Sequence, residues 1–383
     1  MNNSKKFSAL KIVFIIALII STIKFIKNKK INSNNNNNNS TANSTEKNKN
    51  IGVLTKSFNV MGTFARLKLF GTKEETEKAA KIVINQFNLI NKHLNTFNKN
   101  SELSHLNATA FEKTFKCSPL LWDILKKCQT AYIISDGSFD VTAKPLMNLW
   151  GFYRKRPTPT LPTKKEIKDV LTKVGFNKII LNNKEKSVKF TVQGMAIDLG
   201  GIAKGFAVDL AVEKLLEQQI IKGGIINLGG NLRILPQTNT CLNKNELIKI
   251  GITNPFKSRK TCGFIKLTNN SVATSGDYER FVTINDKRYG HIMNPKTGKP
   301  VENIYGVTII TPSATDADWI STTIFINGEK SAQKIINNYP NTAILIIKED
   351  QKGKIIVKKY SNLVDKNIWN NIKKNELYRE KTD

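Results

Sequence analysis

Two residues four positions apart, Asp318 and Thr322 in ATDADWISTTIFING, are of types and at a spacing that can do chemistry. The segment has a helical pattern, so positions i and i+4 lie on one face. A carboxylate and a hydroxyl so placed can hold a hard cation through oxygen. Acidic residues at a helix N-terminus, near the positive end of its dipole, account for the same pattern. A second set lies in AIDLGGIAKGFAVDLAVEKLL, Ala196 to Leu216, which reads as a short strand, a glycine turn and an amphipathic helix. Asp198, Gly200, Gly201, Lys204 and Gly205 crowd the turn. Glycines let backbone approach a bulky anion, a lysine can neutralise phosphate, and an aspartate can orient a polar ligand. An ordinary strand-to-helix turn has the same composition, so this stretch alone leaves both readings open.

Four weaker signals accompany these. His291, one of three histidines, lies in RYGHIMNPKTGKPVEN just before two turns, where an imidazole can serve as acid, base or ring-binding group, or simply as structure. Phe139 and Asp140 in GSFDVTAKPLMNLWGF follow a predicted helix end; the aromatic can lie against a ring system or plug the core. Gly229-Gly230 before Asn231 permits close backbone approach or a bulge. Met61-Gly62 enters a strand.

The elements that must position these groups follow from periodicity. Phe64 to Phe70 alternates apolar and basic residues, as in a half-buried strand. Thr72 and Glu75 form a capping box, and Ala80, Val83, Phe87, Ile90 and Leu94 mark the buried face of the helix that follows. A second helix starts at Ser118-Pro119 and stops before Gly137. A third, boxed by Thr163 and Glu166, runs to Gly175. Lys178 to Val192 reads as a hairpin turning at Asn183-Lys184, Gly224 to Val307 as mostly strand and turn, Asp316 as a helix start, and Lys352-Gly353 as a final hairpin. Mixed helices and antiparallel strands predict an α+β fold with a largely antiparallel sheet core and packed helices.

The chain has 383 residues, 40% of them apolar, and a formal net charge of +30. The lysines are scattered rather than gathered in a stripe, and no zinc-finger, RNP or basic-zipper pattern appears, so nucleic acid is not expected as a partner. Phe7 to Ile26 is an apolar run long enough to cross a bilayer, with Lys11 and Lys24 near its ends. No small-residue cleavage site follows it, which favours an uncleaved anchor within residues 1–30 over a signal peptide. Residues 31–50, with six consecutive asparagines from Asn34 to Asn39, form a predicted disordered tether, and a single domain covers 51–383. Cys117, Cys128, Cys241 and Cys262 show no CxxC spacing and are expected as free buried thiols, although Cys241 and Cys262 can pair in an oxidising compartment.

Taken together and in order, these stretches resemble the FAD:protein FMN transferase family, the ApbE family, over about Val53 to Asn337. The resemblance implies an α+β fold holding FAD in a cleft on the outer face of the bacterial inner membrane. It implies magnesium-dependent transfer of FMN from FAD to a threonine or serine of an acceptor, with release of AMP. The acceptors it implies are subunits of sodium-pumping quinone reductases and related electron-transfer complexes. Residue by residue, it assigns flavin contacts to Met61, to Phe139, Asp140 and Val141 of the FDV motif, to Asp198 and Lys204 of DLGGIAKG, and to His291 and Ile292. It assigns Mg²⁺ to Asp318, Thr322 and the backbone carbonyl of Gly201. Two positions depart from the family. Phe97, ahead of SELSHLN, stands where tyrosine is common, so stacking is kept and a hydroxyl lost. Ile248 stands where the family often has tryptophan. The lipobox cysteine is missing, in keeping with a transmembrane anchor.

On this reading His291 accepts or orients the proton of the attacking hydroxyl, with Asp198 as the alternative, and Lys204 adds to phosphate neutralisation. The same site also suits a Mg²⁺-dependent FAD pyrophosphatase with water as nucleophile. A tethered flavin-binding protein without activity is a further reading, against which the complete set of metal positions speaks.

Overall fold

Eight strands pair strictly in chain order into one antiparallel sheet: β1 (Gly52–Val60), β2 (Thr63–Gly71), β3 (Gly223–Leu228), β4 (Asn231–Leu235), β5 (Ser271–Gly276), β6 (Ile304–Thr311), β7 (Ala343–Glu349) and β8 (Ile355–Ser361). The computed structural model describes residues 51–153, 160–235, 247–257 and 259–378. The apolar segment Phe7–Ile26, the asparagine-rich stretch and Cys241 lie outside the described residues. No helix among the described residues is long and apolar enough to cross a membrane.

The helices enter as insertions between neighbouring strands. Between β2 and β3 come α1 (Lys73–Leu94), α2 (Glu102–Thr109), α3 (Pro119–Ile134), α4 (Lys144–Leu149), α5 (Lys164–Leu171) and α6 (Ala203–Gln218). Between β6 and β7 come α7 (Ala314–Asn327) and α8 (Glu329–Asn338). The capping box of Thr72 and Glu75 starts α1, and Ser118 with Pro119 starts α3, as the sequence predicts. The helix capped by Thr163 stops at Leu171 rather than Gly175. The helix expected from Asp316 starts two residues earlier, because Ser313 caps it through the Asp316 N–H.

Strand alternation gives the sheet two buried faces. Leu67, Leu69, Ile226, Val307 and Ile344 join the core formed with α1, α6 and α7. Leu232, Ile234, Val272 and Leu345 face the other way, toward the hairpin of Ile248–Thr253 and Thr261–Leu267 and toward Trp369. On β2 that second face is not covered, and Arg66 and Lys68 are exposed there.

Two glycine pairs find their place and one expectation needs correction. Met61-Gly62 leads into β2 as the two-residue turn joining it to β1, with φ of 53° and 68°. Gly229-Gly230 makes the equivalent turn between β3 and β4, and the Gly229 N–H donates to Phe64 O at 3.0 Å, so the two turns lie side by side. The short strand expected ahead of Asp198 does not form. Its backbone is held by side chain and loop instead: Asn107 bonds both the N–H and the C=O of Ile197, and the Asp198 N–H donates to Val141 O at 2.8 Å. Cys117, Cys128 and Cys262 are buried free thiols; burial pushes Cys117 up to about 12 and Cys262 up to about 11, which keeps them protonated.

Candidate functional site

The glycine turn and the acidic helix, over a hundred residues apart in sequence, meet where α6 packs antiparallel on α7. Their approach is closest at Gly205. A Cβ there would lie 2.1 Å from Ala314 O and 2.9 Å from Asp318 Cβ, so no other residue fits without moving a helix. The Gly205 N–H donates to Asp318 Oδ2 at 2.9 Å, and Lys204 Nζ lies 3.9 Å from Asp318 Oδ1 while donating to Gly200 O at 3.0 Å. At Gly201 a Cβ would lie 3.3 Å from Thr322 Oγ1, which puts the Thr322 hydroxyl against the turn. The predicted set Gly201, Lys204, Asp318 and Thr322 is therefore assembled at one place.

Asp318 is buried, and burial raises its pKa; the Lys204 charge and the Gly205 N–H partly offset this. Among the described residues no three His, Cys, Asp or Glu side chains converge as a metal cluster. What the site offers is one buried carboxylate and a hydroxyl one turn on, with the Gly201 backbone, and so its carbonyl, close to that hydroxyl. These are hard oxygen donors, and they fit Mg²⁺ with most of its shell left to water or phosphate.

Asp209, which the sequence reading passed over, fixes α7 in place. It projects from α6 and its carboxylate accepts the Ala314 N–H at 2.9 Å, the Thr315 N–H at 2.8 Å and the hydroxyls of Ser313 and Thr315 at 2.8 and 2.6 Å. An aspartate inside the apolar run AVDLAV was the available signal, since a charge there needs partners.

Asp198 opens the polar side of the site. Its Oδ1 accepts the Gly200 N–H at 2.8 Å, and Tyr153 bonds its carboxylate. Lys144 senses its charge, although burial lowers the Lys144 pKa overall. Arg280 stacks near three rings, with its guanidinium carbon 5.6 Å from the centre of Phe97, 5.9 Å from Phe152 and 5.4 Å from Tyr153. Phe97 is 63% exposed and lies 5.1 Å from Tyr153, so it forms a rim. Lys144, Tyr153 and Arg280 were missed because each is an ordinary surface type; the aromatic cluster WGFY after FDVTAKP was the signal for Tyr153.

His291 sits on the Arg280 backbone. Its N–H donates to Arg280 O at 3.1 Å, and Nδ1 lies 3.1 Å from the same oxygen. A carbonyl only accepts, so Nδ1 carries the proton and Nε2 is an acceptor. Burial lowers the imidazole pKa to about 4, with the Lys204 and Arg280 charges acting the same way. His291 is thus neutral in ordinary buffer, with a lone pair free to accept at Nε2.

Other predicted site residues serve differently. Phe139 is buried behind Gly201, edge-on to Trp319 at 6.3 Å. The Asp140 carboxylate accepts the Thr142 N–H and hydroxyl at 2.8 and 2.6 Å and the Phe176 N–H at 3.2 Å. These two side chains hold the turn beside Gly201. Val141 contributes its carbonyl to Asp198, and the Ile292 side chain is in the core. Met61 packs against the same core from its turn.

Known proteins share the sequence pattern and the fold. The ApbE family profile matches residues 61–346. An FAD:protein FMN transferase of Haemophilus influenzae is 30% identical over 79% of this chain and 88% of its own. One from Escherichia coli K12 is 27% identical over 77% and 84%. The crystal structure of the ApbE protein of Thermotoga maritima superposes with a TM-score of 0.71 at 28% identity, over 80% of this chain and 96% of that one. With the family profile spanning most of the folded residues, this chain belongs to the ApbE family.

Proposed function

We propose that the protein transfers FMN from FAD to a threonine or serine hydroxyl of an acceptor protein, with Mg²⁺, releasing AMP. The observation that carries this reading is the convergence of Asp318, Thr322, Gly201 and Lys204 on one spot, with a neutral His291 within electrostatic reach of Lys204. Asp318, Thr322 and the Gly201 carbonyl would hold the cation. When bound, it offsets pyrophosphate charge that otherwise repels a nucleophile. Lys204 adds a further positive charge. His291 Nε2 accepts the proton of the acceptor hydroxyl as its oxygen forms the new bond to the phosphorus on the FMN side. The anhydride P–O bond breaks, and AMP leaves with the electron pair. Asp198 with Tyr153, and the rim of Phe97 and Arg280, would orient the flavin nucleotide. The membrane anchor in residues 1–30, the outer face of the inner membrane, and acceptors from sodium-pumping quinone reductases or related complexes belong to the same proposal.

Incubation with FAD, Mg²⁺ and a candidate acceptor, followed by mass spectrometry, tests it. One FMN gained on a threonine or serine is expected. Free FMN and AMP with no adduct would instead identify a pyrophosphatase. Asp318→Ala is expected to lower transfer by about a hundredfold or more while flavin binding is kept; undiminished transfer in that variant removes the metal assignment.

A further inference from the structure

A groove of about 400 Å³ lies on the uncovered face of the sheet, between β2–β3 and the hairpin strand Ile248–Thr253. Its floor is apolar, with Ile225 and Leu232, and its rim is cationic, with Arg66, Lys68 and Lys249. None of these three cations is in an ion pair with a carboxylate among the described residues. Lys249 and Lys68 sit instead over Phe264 and Phe70, at 3.9 and 5.5 Å from the ring centres. The one carboxylate of the lining, Glu279, feels the charges of Lys204 and Asp318, which places it at the end nearest the reacting groups.

Five consecutive residues, Lys249 to Thr253, line this groove. Side chains of a strand alternate between faces, so a consecutive run means that the strand presents its backbone edge. One edge of Ile248–Thr253 pairs with Thr261–Leu267. The other makes no strand pair among the described residues. Thr253, at the end of this strand, is bonded by Tyr278. Tyr278 and Glu279 lead directly to Arg280, whose carbonyl holds His291. The groove thus reaches from a strand edge that is unpaired among the described residues to Glu279, which precedes Arg280 in the chain.

We propose that this groove docks an extended acidic segment of the acceptor protein, which pairs with the edge of Ile248–Thr253 turned away from its hairpin partner and brings its hydroxyl to His291. The inference rests on the transfer reading above. Strand addition supplies backbone hydrogen bonds and so tolerates varied sequences, while the cationic rim selects for Asp and Glu at alternate positions.

The test uses the full chain without FAD. The probe is a labelled nine-residue peptide alternating Asp and Val around a central Thr, followed by fluorescence anisotropy. The comparison probes are the same peptide with Lys for Asp, and the acidic peptide N-methylated along one edge. The acidic peptide is expected to bind, and the other two to bind about tenfold more weakly or worse. The charge-reversed variant R66E/K68E/K249E should lose the acidic peptide by a similar factor and gain the Lys peptide. It should melt and bind FAD as the unaltered protein does. No binding of the acidic peptide, equal binding by the variant, or indifference to N-methylation overturns the proposal. So does loss of FAD binding in the variant, which would make the groove part of the nucleotide site. Because peptide binding is read without flavin, failure of the transfer reading shows separately, as absence of FMN on any acceptor.

Discussion

Replacing Gly205 with alanine tests whether the contact of α6 with α7 sets the site. The new Cβ would lie 2.1 Å from Ala314 O, against 3.4 Å for ordinary contact, so the helices must separate by about 1.3 Å. Ala314 O is backbone and cannot swing away, and the second near atom, Asp318 Cβ at 2.9 Å, belongs to the same helix. Overpacking of this kind costs roughly 1–3 kcal/mol. At about 2 °C per kcal/mol for a domain of this size, the midpoint of thermal unfolding should fall by about 2–6 °C. The same displacement stretches the 2.9 Å bond from the Gly205 N–H to Asp318 and carries Thr322 away from Gly201. A misplacement of about 1 Å costs on the order of a hundredfold in rate. The assay is calorimetry beside FMN transfer to a fixed acceptor, with Gly306→Ala as control. Gly306 has an ordinary φ and its nearest neighbour at 3.8 Å, so alanine there should change stability by no more than about 0.5 kcal/mol. If Gly205→Ala unfolds and transfers like the unaltered protein, the contact does not set the site.

Four further outcomes are expected. With His291 neutral above about pH 4, transfer should show no acid limb near 6.5, and a pH–rate profile that breaks there refutes the assignment of Nε2 as acceptor. The same shift gives a stability term that is full above pH 6.5 and lost as pH falls through about 4, so His291→Gln should flatten the acid side of a melting-point profile. Asp209→Ala leaves two N–H groups and two hydroxyls of α7 without their partner; a loss of roughly 2–3 kcal/mol in denaturant unfolding is expected, together with weaker Mg²⁺ dependence of transfer. Arg280→Lys keeps the charge but loses the planar stack on Phe97 and Tyr153, and flavin fluorescence titration should show FAD bound about tenfold more weakly.

The sequence displays some of this plainly. Thr72 with Glu75 and Ser118 with Pro119 start helices through local hydrogen bonds, so they are readable without the fold. Asp318 and Thr322 are readable as a pair because four residues make one turn. What the sequence hides depends on distant partners. Ile197 has strand-like neighbours, yet its hydrogen bonds go to Asn107, ninety positions away. Phe139 could face a cleft or a core, and only the position of Trp319 decides for the core. Arg280 carries no pattern of its own; its importance comes from the three rings that happen to surround it.

Most of the site geometry reduces to one stripe. Gly201, Gly205 and Asp209 are spaced by four, as are Ala314, Asp318 and Thr322, and the two series meet in antiparallel order. Such rows are the ridges by which helices pack. Along this one, Gly201 meets Thr322, Gly205 meets Asp318, and Asp209 meets Ala314. The residues assigned to the cation span one end and the middle, where the approach is closest, and the cap lies at the other end. Two points of contact would leave α7 able to pivot about Gly205; the third, at Asp209, removes that freedom. The carboxylate and hydroxyl are therefore held at a set distance from the Gly201 turn by Gly205 and Asp209, which lie outside the set assigned to the cation. That is why alanine at Gly205 or Asp209 should alter transfer almost as surely as a change at Asp318 itself.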